Sequence, residues 1–343
     1  MEKKIYQFSS KKVSYYFDAD FAHLAKLADK ANSIIITDEH IVKHHSRKLS
    51  GWRTIVVSAG EGYKVQSTVD SIIDQLIGLQ ADRKTVLVGV GGGVITDITG
   101  YVAAVYMRGL KFGFVPTSVL AMVDASIGGK NGIDVGVFKN MVGTIRQPEF
   151  LLYDISLLKT LPQEEWINGF AEIIKHACIK SQNLFKELEQ HKIEYYQKNK
   201  SALSRLIRAN AVIKSEVVKK DEFENGERKL LNFGHTIGHA IENVYDLPHG
   251  QAISIGMVAA GILSEQFTNF KDTARIISLL TKYGLPTLAE FNAKKAFEVL
   301  KMDKKKVQHN LNYILLNKIG EGVVKAIPID QLEKLIHSIV RAR

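Results

Sequence analysis

The sequence predicts an α/β protein whose amino-terminal part is built on a mostly parallel sheet and whose carboxy-terminal part is mainly α-helical. Three observations carry this. Up to about residue 155, short β-branched runs alternate with amphipathic stretches; the apolar run at 84–90 opens straight into Gly91-Gly92-Gly93 and a helical pattern; beyond Leu161-Pro162 the pattern changes to long helical periodicities. Expected strands lie at 33–37, 53–58, 84–90, 112–115 and 151–153, and expected helices at 21–30, 65–79 and 94–107. Strand, helix and strand in succession need a crossover, hence parallel neighbours, and ligands in such sheets bind beyond the carboxyl ends of the strands. The second half reads as helices near 163–198, 201–220, 235–246, 251–268, 272–283 and 290–301, then a hairpin of 310–316 with 322–327 and a last helix from Asp330. With no linker of low complexity, the chain is expected to divide into domains 1–160 and 161–343 around a shared cleft.

A chain of 343 residues, 45% hydrophobic and 24% charged, has ordinary globular composition and the length of about two domains. The opening Met1-Glu2-Lys3-Lys4-Ile5 lacks an apolar signal region, and no apolar run reaches the ~18 residues of a membrane span, so a cytoplasmic protein without a membrane partner is expected. Cys178 is the only cysteine, which excludes an internal disulfide and a multi-thiolate metal site; a metal would be held by nitrogen and oxygen. The net charge of +10 is spread along the chain without a basic tract. No nucleic-acid partner is expected, and the charge fits a basic pocket for an acidic small molecule.

The turn Gly89-Val90-Gly91-Gly92-Gly93-Val94-Ile95-Thr96-Asp97 joins a strand to a helix start, where backbone N–H groups point at a phosphate. Val94 stands where the dinucleotide fingerprint has a third glycine, so pyrophosphate binding is favoured over a plain tight turn without being fixed. Asp97 either holds a ribose or nicotinamide group or complements the helix dipole. Gly60-Glu61-Gly62-Tyr63-Lys64 and Thr117-Ser118 follow other strand ends. Among glycines and apolar residues, Lys130 and Lys139 suit a phosphorylated or carboxylated ligand, and Asp124 a hydroxyl or a neighbouring lysine.

Glu172 and Lys175 share one face of an otherwise apolar helix, as a buried ion pair or as a metal ligand beside a substrate cation. Further on, His235 and His239 are one helical turn apart, with Asn232 on roughly the same face and Arg228 upstream. Thr236 occupies the place of the glutamate that a zincin needs as general base. From spacing alone His235 and His239 form the natural ligand pair. His249 adds a third imidazole, however, and a catalytic zinc site usually has three protein ligands, so one histidine has another task. His176 reads as structural.

Together GEGYK at 60–64, GGGVITD at 91–97, YMRG at 106–109, VPTS at 115–118, VDASIGGK at 123–130, KNMVG at 139–143, GFAEIIKH at 169–176, NFGHTIGHAIE at 232–242, LPHG at 247–250 and MDKK at 302–305 resemble, in order and spacing, the 3-dehydroquinate synthases of the shikimate pathway. The resemblance covers roughly 35 to 320. It implies a Rossmann-like amino-terminal domain, a helical carboxy-terminal domain, bound NAD and a divalent metal, zinc or cobalt. Carried onto this chain, it makes Glu172, His235 and His249 the metal ligands and releases His239 to the substrate. The implied NAD segment is Asp38, Glu61, Lys64, Gly92, Gly93, Val94, Ile95, Thr96, Asp97, Thr117, Ser118, Lys130, Lys139, Leu157, Leu158, Lys159 and Thr160. The implied substrate residues are Arg108, Asp124, Lys130, Asn140, Lys175, Lys214, Arg228, Asn232, His239 and Lys304, with Arg108 lent across a homodimer. His40, Thr96 and Asp134 depart from the family's usual asparagine, glycine and asparagine.

The activity implied converts 3-deoxy-D-arabino-heptulosonate 7-phosphate, a small phosphorylated sugar acid, to 3-dehydroquinate and phosphate. Hydride passes from C5 to NAD, phosphate leaves by β-elimination, the hydride returns, the ring opens and an aldol addition closes the carbocycle. The related 2-deoxy-scyllo-inosose synthases share the implied cofactor and metal sites; Lys130 in GGK and the intact KNMVG favour the shikimate enzyme. A polyol dehydrogenase of the glycerol dehydrogenase type is disfavoured by the cluster of phosphate-binding cations.

Overall fold

The structure, a computed structural model, describes residues 1–136, 138–245, 247–288, 310–329 and 331–332. Two compact units form: Met1–Glu165 with Lys200–Phe223, and Trp166–Asn199 with the residues from Glu224 on. The first break lies near the expected 160/161. The segment 200–223, expected in the helical domain, belongs instead with the sheet.

In the first unit seven strands pair in the order β1 (Glu2–Gln7), β2 (Lys12–Phe17), β9 (Phe150–Leu152), β6 (Lys111–Pro116), β5 (Val86–Gly91), β3 (Ser33–Asp38) and β4 (Arg53–Val57). All neighbours are parallel except β1 and β2, so the sheet expected from the sequence gains an antiparallel edge. That edge escapes the sequence because β1 is largely exposed and rich in lysine, as suits a strand with an unpaired side. β3 and β5 are buried along nearly their whole length, the mark of a parallel sheet covered on both faces. Ile35, Val88, Val90, Val115 and Leu152 pack on one face with Phe21, Leu24, Leu49 and Leu157.

Helices α1 (Glu39–Leu49), α2 (Gln66–Gly78) and α3 (Gly93–Val105) connect the strands. α1 was not expected, because only its Leu49 is buried and its apolar signal is weak; it starts where Asp38 accepts the Ile41 N–H at 3.0 Å. The expected helix 21–30 is two 3₁₀ turns, Phe21–Lys26 and Lys30–Asn32, whose starts Asp20 and Asp29 cap. Lys130 and Lys139, for which no strand was expected, lie in an antiparallel hairpin, β7 (Lys130–Val135) and β8 (Phe138–Ile145). Helix α7 (Lys200–Lys220) packs on the π-helical turn Ala121–Ala125 and on β1, and its Ser215 hydroxyl donates to the Tyr15 hydroxyl at 3.1 Å. Amphipathicity shows that a helix buries a face, but not against what.

In the second unit the expected helix 163–198 is three: α4 (Gln163–Lys180), α5 (Gln182–Gln190) and α6 (Ile193–Lys198). Ser181 makes the first break, its hydroxyl accepting the Leu184 N–H at 3.2 Å. α8 (His235–Tyr245), α9 (His249–Thr268) and α10 (Thr273–Lys282) follow, and the hairpin of β10 (Asn310–Lys318) and β11 (Glu321–Pro328) is present as expected. The expected helix 290–301 and the start of the last one at Asp330 lie outside the described residues. Among the described residues no helix is long and apolar enough to cross a membrane.

Cys178 is fully buried in α4, and burial pushes its thiol well above the ordinary range. A thiol reagent such as 5,5′-dithiobis(2-nitrobenzoate) is expected to react with it only after denaturant is added. Rapid stoichiometric reaction of the native protein would contradict this.

Candidate functional site

The first unit presents its polar residues at the carboxyl ends of the parallel strands. β5 ends at Gly91 and α3 starts at Gly93, with Gly92 as its N-cap and no side chain capping it among the described residues. A Cβ on Gly91 would lie 2.6 Å from Ile95, so glycine is what lets strand and helix meet so abruptly. The uncapped first-turn amides of Gly93, Val94 and Ile95 suit an anion. Thr96, noted for departing from the family pattern, is 1% exposed and its hydroxyl donates to Gly93 O at 2.9 Å. Its N–H donates to Gly92 O at 3.1 Å as well, so both donors of Thr96 serve the helix start.

Lys64 is the hub of the next cluster. Its ammonium lies 2.5 Å from Asp97 Oδ2, 3.9 Å from Glu61 Oε1 and 2.6 Å from Asn140 Oδ1, and Lys139 also approaches Glu61 at 3.9 Å. Burial acts against the charge on Lys64, but the Asp97 and Glu61 carboxylates outweigh it and hold the group above its ordinary value. Asp134 explains its own departure. Its carboxylate accepts the Asn140 N–H at 2.7 Å and its N–H donates to Lys64 O at 2.8 Å, fixing Asn140 in a left-handed conformation (φ 55°). Elsewhere in this unit Lys214 donates to Asp124 O at 2.9 Å and pairs with Asp124 Oδ2 at 2.8 Å.

Asp38 ends β3, with burial raising its carboxyl. Thr117 and Ser118 are buried after β6, and Ser118 Oγ accepts the Ala121 N–H at 3.1 Å. Leu157 packs in the sheet core and Leu158 is buried, while Lys159 and Thr160 are exposed; Thr160 Oγ1 lies 2.8 Å from His45 Nε2. Lys130 is exposed at the start of β7. Arg108 is exposed beyond α3 with φ 64°, directly after Met107 at 49°, two consecutive left-handed residues that carry backbone strain.

The second unit gathers the histidines. α4 supplies Glu172 and Lys175, the 3₁₀ turn Glu227–Asn232 supplies Arg228 and Asn232, α8 supplies His235 and His239, and α9 begins with His249. Ligand atoms of Glu172, His235 and His249 all lie within 4.8 Å of one another. Glu172 Oε1 stands 3.7 Å from His235 Nε2 and 3.4 Å from His249 Nε2, and Glu172 is fully buried in an ion pair with Lys175. His239 stacks edge-on to His235, ring centroids 5.0 Å apart. His239, Glu242 and His249 form an overlapping group within the same 4.8 Å. Burial, reinforced by the Lys175 charge, drives His235 well below the usual histidine range. Burial also opposes a charge on His249, but hydrogen bonds to Glu172 and Glu242 push it up to about 10.

The donor set fits a divalent metal of the zinc or cobalt kind, with two imidazoles and one carboxylate as ligands. The second ring nitrogens agree. His235 Nδ1 lies 3.2 Å from Phe233 O, and His249 Nδ1 lies 3.4 Å from Glu242 Oε2, which leaves both Nε2 atoms beside Glu172. Close packing of α8 on α9 makes the convergence possible. A Cβ on Gly256 would lie 1.9 Å from Gly234 O.

Three neighbours were not singled out from the sequence. Glu242 lies seven residues after His235 on α8, a spacing that returns to the same helix face. Asn168, one turn before Glu172 on α4, accepts the Gly250 N–H with its side chain. Glu224, at φ 62°, accepts a hydrogen bond from the Asn232 amide. The last two signals are tertiary. His176 is fully buried in α4, and Lys304 lies outside the described residues.

A family model described as 3-dehydroquinate synthase N-terminal matches residues 54–168, and one described as 3-dehydroquinate synthase C-terminal matches 169–306. The chain is 40% identical over 287 residues to the 3-dehydroquinate synthase of Pyrococcus abyssi, covering 83% of this chain and 85% of that one. It is 42% identical over 285 residues to that of Clostridium perfringens (strain 13 / Type A), covering 81% of each. Among solved structures it is similar to 2-epi-5-epi-valiolone synthase from Streptomyces hygroscopicus with NAD+ and Zn2+ bound, at TM-score 0.87 and 25% identity over 99% of this chain and 98% of that one. It also shares the fold of a 2-deoxy-scyllo-inosose synthase complexed with carbaglucose-6-phosphate, NAD+ and Co2+, at TM-score 0.86 and 24% identity over 98% and 99%.

Proposed function

Because this chain belongs to the 3-dehydroquinate synthase family, we propose that it converts 3-deoxy-D-arabino-heptulosonate 7-phosphate to 3-dehydroquinate and phosphate, using NAD and a divalent metal, zinc or cobalt. The observation that carries the reading is the convergence of Glu172, His235 and His249, each histidine with its Nδ1 placed to leave Nε2 as the ligand atom. Glu172, His235 and His249 would hold the metal, which would supply Lewis acidity at the C5 oxygen, and bound NAD would supply reversible hydride acceptance there.

The protein's own residues then have distinct tasks. The uncapped start of α3 takes the pyrophosphate of NAD, with Gly92 at the turn and Gly93, Val94 and Ile95 contributing backbone N–H groups. Asp38 faces a ribose, and Asp97 is held in place by Lys64. Lys130, Lys175, Arg228 and His239 supply cations and donors for phosphate and carboxylate, while Asn140 and Lys214, fixed by Asp134 and Asp124, orient hydroxyls. The departing phosphate collects the proton, which is why Thr236 need not be a glutamate.

Phosphate release from the heptulosonate phosphate, measured with and without NAD and a chelator, tests the reading. Release that needs both NAD and metal, without build-up of NADH absorbance, is expected. Stoichiometric NADH accumulation would instead mark a net dehydrogenase.

The protein is further proposed to act in the cytoplasm as a homodimer. β8 exposes Phe138, Met141, Val142 and Ile145, and Met107 is exposed beside Arg108, so apolar surface is available to a second copy. Sedimentation at micromolar concentration is expected to give twice the chain mass, and a monomer mass would remove the lent Arg108 from the scheme.

A further inference from the structure

We infer that Glu242 is a positioning residue of the metal centre, holding the Nδ1 proton of His249 so that Nε2 is the atom presented beside Glu172 and His235. The inference rests on the proposed reading of Glu172, His235 and His249 as metal ligands.

His249 is the ligand whose orientation most needs an external hold. Its side chain is 29% exposed, against 13% for His235 and none for Glu172, so packing alone constrains it least. It is also the first residue of α9, where the ring has no preceding helical turn to lean on. Two contacts compensate. The Gly250 N–H donates to the Asn168 side chain, which ties the start of α9 to α4 one turn from Glu172. Glu242, 4% exposed on α8, places Oε2 3.4 Å from His249 Nδ1.

A neutral imidazole can carry its proton on either nitrogen, and only the other nitrogen can bind a metal. A carboxylate beside Nδ1 selects the tautomer with Nε2 free and makes that atom more basic. His235 meets the same need with a backbone carbonyl, Phe233 O. The carbonyl is supplied by the chain itself, whereas Glu242 is a side chain that substitution can remove.

The competing role for Glu242 is ligation, since His239, Glu242 and His249 also bring ligand atoms within 4.8 Å. Glutamine separates the two roles. Its amide oxygen still accepts from Nδ1–H, but a neutral amide is a poor ligand for zinc or cobalt.

The test measures Zn2+ affinity by competition with a chromophoric chelator, and the visible spectrum of the Co2+ form, for wild type, Glu242→Gln, Glu242→Ala and His249→Ala. Glu242→Ala is expected to bind roughly 10–100-fold more weakly, the usual effect of removing such a partner, and Glu242→Gln to stay within a few-fold with an unchanged cobalt spectrum. Nitrogen-15 NMR of the zinc-loaded wild type, which does not depend on any variant folding, is expected to show His249 coordinated through Nε2 and protonated at Nδ1. Coordination through Nδ1, full affinity in Glu242→Ala, or equal loss in the glutamine and alanine variants would each overturn the positioning role. Full affinity in His249→Ala would instead overturn the ligand reading beneath it.

Discussion

His235→Ala is expected to leave the purified protein without bound divalent metal after dialysis, and to lower phosphate release by about a thousand-fold or more. A Lewis acid contributes several kcal/mol to a step that develops negative charge on oxygen, and ~4 kcal/mol corresponds to about three powers of ten in rate. His235 is suited to ligation because its Nδ1 lies 3.2 Å from Phe233 O, which leaves Nε2 beside Glu172 for the metal. His239→Ala is expected to behave differently, retaining the metal while losing roughly a hundred-fold in turnover through misplacement of substrate. The contrast is informative because both rings lie in one cluster, with centroids 5.0 Å apart, so distance alone does not assign their parts. Equal metal loss in the two variants, measured by atomic absorption, would refute the division and favour the overlapping group of His239, Glu242 and His249.

The same pair shows how far the sequence could be read. The spacing of His235 and His239 places them on one helical face, and that is what the structure has. Spacing cannot show what the far nitrogen of each ring meets, and the roles depend on that. Phe233 is near in sequence, but Glu242 reaches His249 only because α8 and α9 pack together. The fold divides along similar lines. β3 and β5 are legible because burial on both faces demands unbroken apolar runs such as Ile34-Ile35-Ile36. β7 and β8 are not, because β8 is exposed along its length and its pairing with β7 leaves no alternating pattern in Phe138-Lys139-Asn140-Met141. The helical period of α7 is legible, but its place beside the sheet is not, since the contacts that decide it, such as Ser215 with Tyr15, span some two hundred positions.

Gly256→Ala is expected to be the most damaging substitution of a residue that touches no ligand. A Cβ at this position would lie 1.9 Å from Gly234 O and 2.9 Å from Gly238 N, both backbone atoms that no rotamer change can move aside. Facing it, a Cβ on Gly238 would meet Ile253 Cδ1 at 2.8 Å, so the two helices are interlocked from both sides. Overpacking of this kind costs about 1–3 kcal/mol, and the backbone clash places the variant at the upper end. Thermal unfolding is then expected roughly 5 °C or more below wild type. Relief requires α8 and α9 to separate, and these helices carry His235 and His249, so metal affinity should fall together with stability. Gly78→Ala is the matched control: a Cβ there meets nothing within 4 Å at the end of α2, and alanine in place of glycine in a helix is neutral to stabilising. A Gly256→Ala protein that melts with wild type and binds Zn2+ as tightly would show that the α8–α9 contact can yield without moving either histidine. The geometry of the cluster would then have to be set by α4, through Asn168 and Glu172, and not by the glycine interface.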